Sequence, residues 1–147
     1  MRHSKHFLTL SFLLIYLFAQ AQFIPGRYFT QDIAHYQFAL SLNDATDEIQ
    51  GEATILVRFR AETDTVILDL SDKMKVTDIK NDKGVPLKFI HQNDLLHIVL
   101  PQKGITGGSI TLKISYRGIP EDGLIISTNK YGDRTFFGDN WPNRAHK

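Results

Sequence analysis

The feature that most constrains this chain is alternation of apolar and polar residues with a period of two, and helical spacing is nearly absent. In Ala34 to Leu42, Tyr36, Phe38, Leu40 and Leu42 fall on one face while His35, Gln37, Ala39 and Ser41 fall on the other. That spacing predicts a half-buried strand. Asn43 to Asp47 is polar turn chemistry. Ile49, Gly51, Ala53, Ile55, Val57 and Phe59 then repeat the pattern against Gln50, Glu52, Thr54, Arg58 and Arg60, so a long hairpin is expected.

Shorter strands are expected at Thr65 to Leu70, Val76 to Lys80, Leu87 to His91 and Leu95 to Leu100, parted by Asn81-Asp82-Lys83-Gly84 and Gln92-Asn93-Asp94. After the Gly104 to Gly108 loop, Ile110, Leu112, Ile114 and Tyr116 alternate with Thr111, Lys113, Ser115 and Arg117 in the cleanest strand of the set. Two short strands follow, at Leu124 to Thr128 and near Thr135 to Gly138, around a turn at Asn129 to Asp133. Many short strands joined by Gly, Asn and Asp turns define an all-β chain, a sandwich or a strongly curved antiparallel sheet.

Residues 1–21 have the pattern of an export signal. Arg2 and Lys5 precede an apolar run from Phe7 to Phe18, and Ala19-Gln20-Ala21 offers a small-x-small cleavage site, so the cut is expected after Ala21. The run falls short of the roughly 20 apolar residues of a membrane-spanning helix, and the mature protein is expected to be soluble, secreted or periplasmic. The 147 residues less 21 leave 126, room for one domain spanning 22–147. Loss of Arg2 and Lys5 takes the 17 basic residues to 15 against 16 acidic ones, a net charge of −1, which argues against a nucleic-acid partner. The chain has no cysteine, which excludes thiolate zinc sites, redox pairs, a cysteine nucleophile and a cysteine-linked lipid.

Two stretches carry a family resemblance. The Tyr36 to Leu42 strand with its turn and the Ile49 to Val57 strand resemble the first hairpin of the M1 metallopeptidases. The run Gly132-Asp133-Arg134-Thr135-Phe136-Phe137-Gly138-Asp139-Asn140-Trp141-Pro142-Asn143-Arg144-Ala145-His146 is similar to a segment near the end of the N-terminal domain in bacterial members. The resemblance implies a large saddle-like antiparallel sheet with a smaller sheet packed on it, bordering the substrate cleft of a thermolysin-like catalytic domain. The chemistry of that second domain uses His-Glu-x-x-His on a helix to hold zinc and activate water, with a Gly-x-Met-Glu-Asn loop for the peptide's amine. Neither motif occurs up to Lys147, so this chain is expected to be inactive alone, to hold no cofactor itself, and to act with zinc and peptide N-termini only beside the catalytic domain.

The resemblance also implies that this domain supplies an acid and a neighbouring amide to hold the substrate's α-amine. Asp139, placed by its distance from Arg144, matches the acid, with Asn140 beside it. The family residue is normally Glu, and Phe136, Phe137 and Gly138 fill the place of the preceding amide. Both candidates are also ordinary turn residues.

Other readings carry less. His91 and His97 flank a turn and invite a metal pair, against the simpler view of surface imidazoles on a sheet. Tyr131, Phe136, Phe137 and Trp141 suggest an aromatic platform, and so an alternative function: a free-standing exported β-sandwich that binds a carbohydrate or a protein. The competing view of that cluster is core packing plus a surface that another domain covers.

Overall fold

The alternation in β2 (Ile49–Phe59) organises the fold, because its odd-numbered residues face inward and its even-numbered ones face out. Ile49, Ala53, Ile55, Val57 and Phe59 are all buried. The computed structural model describes residues 26–121 and 123–138. β1 (Gln31–Ser41) lies antiparallel on one side of β2 and β7 (Ser109–Gly118) on the other, and β4 (Met74–Asn81) completes a four-stranded sheet in the order β1-β2-β7-β4. Along the ladder, Ile55 stands opposite Leu112, Ala53 opposite Ile114, and Ile114 opposite Ile79, so the inward side chains of neighbouring strands form one apolar layer.

A three-stranded sheet of β3 (Thr63–Asp69), β6 (Leu95–Gly104) and β5 (Phe89–Gln92), in the order β3-β6-β5, supplies the second layer. Val66, Leu68, Leu96, Ile98 and Leu100 from this sheet join Val57, Ile79, Leu112 and their neighbours in a single buried cluster. Six of these side chains, Ile79, Leu96, Ile98, Leu112, Val57 and Val66, are less than 2% exposed. Each contributes about 1.5–3 kcal/mol of burial, which makes this cluster the principal stabilising feature of a chain without disulfides. Of the two all-β forms that the alternation allowed, the sandwich-like packing of antiparallel sheets is the observed one.

Four details depart from simple alternation. A single helical turn, α1 (Arg27–Thr30), precedes β1, and the strand itself starts at Gln31 rather than Ala34. A bulge between Ile33 and His35 lets Ile33 and Tyr36 both face the core, which a strict period of two forbids. The expected strand from Leu87 to His91 is a crossing point. Leu87 N–H donates to the Ile79 carbonyl at 2.8 Å, pairing with β4, whereas Phe89–Gln92 pairs with β6 in the other sheet. Finally, the second half of β1 is not half-buried, for Phe38 and Leu40 are 43% and 51% exposed on the core-side face, and Leu42, just past the strand's end, is 40% exposed. Leu40 stands opposite Gly51, which offers no side chain to cover it.

Polar side chains join the layers where the apolar core ends. The Gln31 amide, 8% exposed, donates to the Ile67 carbonyl at 2.6 Å and accepts from the Ile67 N–H at 2.9 Å, so β1 of one sheet is bonded to β3 of the other. Arg27 holds Asp69 at 2.8 Å and fixes α1 against the same strand. The two-residue turn Asn93-Asp94 has positive φ at both positions, as a tight hairpin requires, and Asp94 accepts from Leu70 and Asp72.

Candidate functional site

β8 (Leu124–Thr128) and β9 (Arg134–Gly138) form a third, two-stranded sheet, and β9 ends at the residue before Asp139. The register runs from Leu124 opposite Gly138 to Thr128 opposite Arg134. Asn129 shapes the turn, its side-chain oxygen accepting from the N–H groups of Tyr131 and Asp133 at 2.9 Å each. Ser127 and Thr135 share a hydroxyl hydrogen bond of 2.7 Å across the strands.

No residue of either strand is buried. Ile125 stands opposite Phe137 on one face, where they are 49% and 64% exposed, and Ile126 stands opposite Phe136 on the other, both half-buried. An aromatic platform of Tyr131, Phe136 and Phe137 is therefore not assembled. Successive strand residues point to opposite faces, and Tyr131, 77% exposed, sits in the turn beneath the Lys130 ammonium at 4.9 Å. Trp141, His146, and the amine-anchor candidates Asp139 and Asn140 lie outside the described residues.

The hairpin is attached to the rest of the molecule by a charge pair. Arg134 of β9 pairs with Asp47 in the β1–β2 turn, with the arginine side chain 23% exposed and the aspartate 50%. The Arg134 Nε is buried and has no hydrogen-bond partner. Its neighbour in the fold, the β1–β2 turn, is itself ordered by Asn43, whose side-chain oxygen accepts from Ala45 and Thr46 at 2.9 Å each.

The histidine pair does not converge. His91 stands opposite Leu96, on the core side of the sheet, while His97 stands opposite Ile90 on the outer side. His91 Nε2 lies 2.9 Å from the Leu70 carbonyl and 3.6 Å from Asp72, which gives it a structural role between β3 and β4. Among the described residues no three His, Asp or Glu side chains come together, so a zinc ion of the kind held by His and Glu ligands finds no ligand set there.

An open groove of about 510 Å³ crosses the sheet near the exposed half of β1, lined by Leu40, Glu52, Thr77 and Arg117 around Gly51 and Tyr116. The Tyr116 ring lies over Gly51, where a Cβ would come within 2.4 Å of it. Burial pushes the Tyr116 phenol pKa up, and burial, aided by Asp69 and Tyr28, does the same for Tyr36. On the outer surface, the Lys103 hydrogen bond holds the Glu62 carboxyl below its usual range, and Glu62 in turn raises Lys103.

Two packed antiparallel sheets followed by a hairpin arm define the class of domain. Residues 33–135 match the family model of the Peptidase M1 N-terminal domain, and the chain belongs to that family. No curated protein matches the chain. Among solved structures it is similar to an M1 zinc metallopeptidase from Deinococcus radiodurans, with 22% identity and a TM-score of 0.58 over 64% of this chain and 21% of that one. A point mutant of the Deinococcus enzyme bound to a Tyr-Ser-Ala substrate gives 22% identity and a TM-score of 0.57, covering 63% of this chain and 21% of that chain. A two-domain M1 zinc metallopeptidase mutant bound to L-tryptophan gives 22% and 0.58, covering 64% and 22%. At these identities the likeness is one of fold, and this chain spans about a fifth of the length of those structures.

Proposed function

We infer that this chain contributes the N-terminal β domain of an exported M1-type zinc aminopeptidase, which removes residues from peptide N-termini. In that reading a thermolysin-like catalytic domain supplies zinc, the His-Glu-x-x-His helix and the amine-binding loop, and the present domain packs against it and borders the cleft. The observation that carries the reading is the M1 N-terminal domain match over residues 33–135. Two surfaces suit the docking role: the uncovered Leu40 of β1 with Leu42 just past the strand's end, and the exposed Ile125 and Phe137 of the hairpin. In that reading Asp139, which follows β9 in the sequence, would be the acid that meets the substrate's ammonium group, with Asn140 as its neighbour.

The test is zinc content and hydrolysis of a chromogenic amino-acid amide by residues 22–147, with and without the coding sequence that follows. Zinc and activity in the longer product alone are the expected outcome. Activity in the shorter product would place a catalytic site inside this chain and overturn the reading. Inactivity of both would favour a binding module for a carbohydrate or protein.

A further inference from the structure

The outward face of the four-stranded sheet carries charges that it does not neutralise. Arg117 of β7 stands directly opposite Lys75 of β4, two cations side by side where like charges destabilise a sheet. On its other side Arg117 has Gln50 of β2 as its cross-strand neighbour. Glu52, two residues along β2, points to the same face and lies opposite Ser115. Glu52 and Arg117 are therefore diagonal neighbours of opposite charge, on backbones about 7–8 Å apart. They nevertheless form no ion pair. The ion pairs of the described residues are Arg27–Asp69, Arg60–Asp32, Lys80–Asp78, His91–Asp72, Lys103–Glu62 and Arg134–Asp47, and Glu52, Lys75 and Arg117 enter none of them. Asp78, the other acid of this face, is already held by Lys80 at 2.6 Å.

The open groove of about 510 Å³ is lined by both Glu52 and Arg117. Its volume falls in the range of small-ligand sites, about 300–1,000 Å³. Small side chains keep its floor low, for Ala39 lies opposite Glu52 on one side and Ser115 on the other. Thr77 is the extra residue of a bulge in β4, and its hydroxyl donates to the Ser115 carbonyl at 3.1 Å, so this wall is bent and bonded in place. We propose that the groove binds a short peptide of two or three residues with both termini free, its carboxylate on Arg117 and its ammonium group on Glu52. A uniform polyanion, such as a phosphate chain or an anionic lipid surface, is drawn to Lys75 and Arg117 but meets the Glu52 carboxylate. A free peptide satisfies both ends, because an extended chain advances about 3.3–3.6 Å per residue and two or three residues span the separation of the charges. Arg117 offers a planar fork of donors suited to a carboxylate, and Lys75, just outside the groove, adds to the field there. The Gln50 amide and the Ser41 hydroxyl remain for the peptide's own backbone groups. Lys113, the diagonal neighbour of Glu52 on its far side, does not line the groove. The site is argued from this chain's own residues and not from the aminopeptidase reading, so the two fail independently.

The experiment titrates the protein with triglycine, N-acetyl-triglycine and triglycine amide, following backbone amide shifts by NMR. Triglycine should give saturable shifts at Gln50, Glu52, Ser115 and Arg117, with a dissociation constant on the order of 1–10 mM for so open a groove. Each capped peptide should bind about tenfold more weakly, since each lacks one charge-assisted contact. Arg117→Gln should erase the difference between triglycine and its amide, and Glu52→Gln the difference between triglycine and its acetylated form. Both positions are exposed, so the variants should keep the wild-type circular dichroism spectrum. Shifts that never saturate, equal binding of the capped peptides, or saturable shifts confined to other strands overturn the site. Inorganic phosphate or anionic lipid vesicles that bind as tightly as triglycine, and more tightly still in Glu52→Gln, would make this an anion site and overturn the peptide.

Discussion

The two-sheet body and the β8–β9 arm are written in the same sequence pattern and reach opposite ends. In the body, alternation puts Val57, Val66, Ile98 and Leu112 under a second sheet, where none is more than 1% exposed. In the arm the same alternation leaves Ile125 and Phe137 49% and 64% exposed, and no strand residue is buried. Period two specifies which residues share a face. Burial of that face depends on a second layer, and the described chain supplies one for the body only.

The sharpest way to break the comparison is to remove apolar volume from each region. Ile98→Ala should destabilise the protein by about 3–4 kcal/mol, because the fully buried site loses transfer energy and retains a cavity. Phe136→Ala, half-buried on the arm, should cost less than about 1 kcal/mol of global stability. Urea unfolding followed by tryptophan-independent circular dichroism measures both, and equal costs would mean that arm and body unfold as one unit.

The next effect tests how tightly the ends of the body are packed. A Cβ on Gly104 would lie 2.8 Å from the ring of Phe59, itself only 6% exposed, so Gly104→Ala must displace a core aromatic. A loss of about 1–3 kcal/mol is expected, partly recovered when Phe59→Leu is added. Gln31→Ala should cost a comparable amount, about 1–3 kcal/mol, because the Ile67 N–H and carbonyl lose both bonds that tie the sheets together. Amide exchange at Ile67 should rise in that variant before exchange at Ile98 does.

The fold was legible in the sequence wherever one strand has one inward face. Tyr36 to Leu40, Ile49 to Phe59 and Ile110 to Tyr116 all have the inward parity that their spacing implies. What escaped are places where a local event resets parity or changes the partner: the bulge at Ile33, and the segment at Leu87, which leaves β4 for β6. The Gln31 amide escaped for a different reason. A polar residue at the start of a strand has the signature of surface, and only the approach of β3 makes it a bridge between sheets. The candidate site was legible in part. The turn at Asn129 and both arm strands fall where their residues suggest, whereas the Arg134–Asp47 pair joins positions 87 residues apart with no local signal at either. The aromatic grouping failed because adjacency in sequence, as at Phe136 and Phe137, means opposition in a strand.

Alkaline pH sharpens the contrast through two tyrosines that only the body contains. Tyr36 and Tyr116 have phenol pKa values raised by burial in the folded protein. The folded state therefore holds its phenolic protons more tightly than the unfolded chain. The associated stability is complete below the unfolded value of about 10 and is lost as pH rises through the higher folded values. Unfolding midpoints should fall above about pH 10, and the double change Tyr36→Phe with Tyr116→Phe should flatten that fall.

The smallest expected effect on stability is also the one most informative about what covers the arm. Ile125→Thr combined with Phe137→Ser removes the exposed apolar pair while keeping residues that tolerate a strand, so global stability should change by less than about 0.5 kcal/mol. An exposed apolar pair that serves only solvent has no reason to affect association. If this face docks a second domain, its exposure in the isolated chain favours self-association. Sedimentation at high concentration should then show oligomers for the wild type and a monomer for the variant, and in the longer product the variant should lower the cooperativity of unfolding between the two halves. Monomeric behaviour of the wild type at every concentration would mean that the arm's apolar face is not an interface, and would move the docking surface to Leu40 of β1 and Leu42 just past its end.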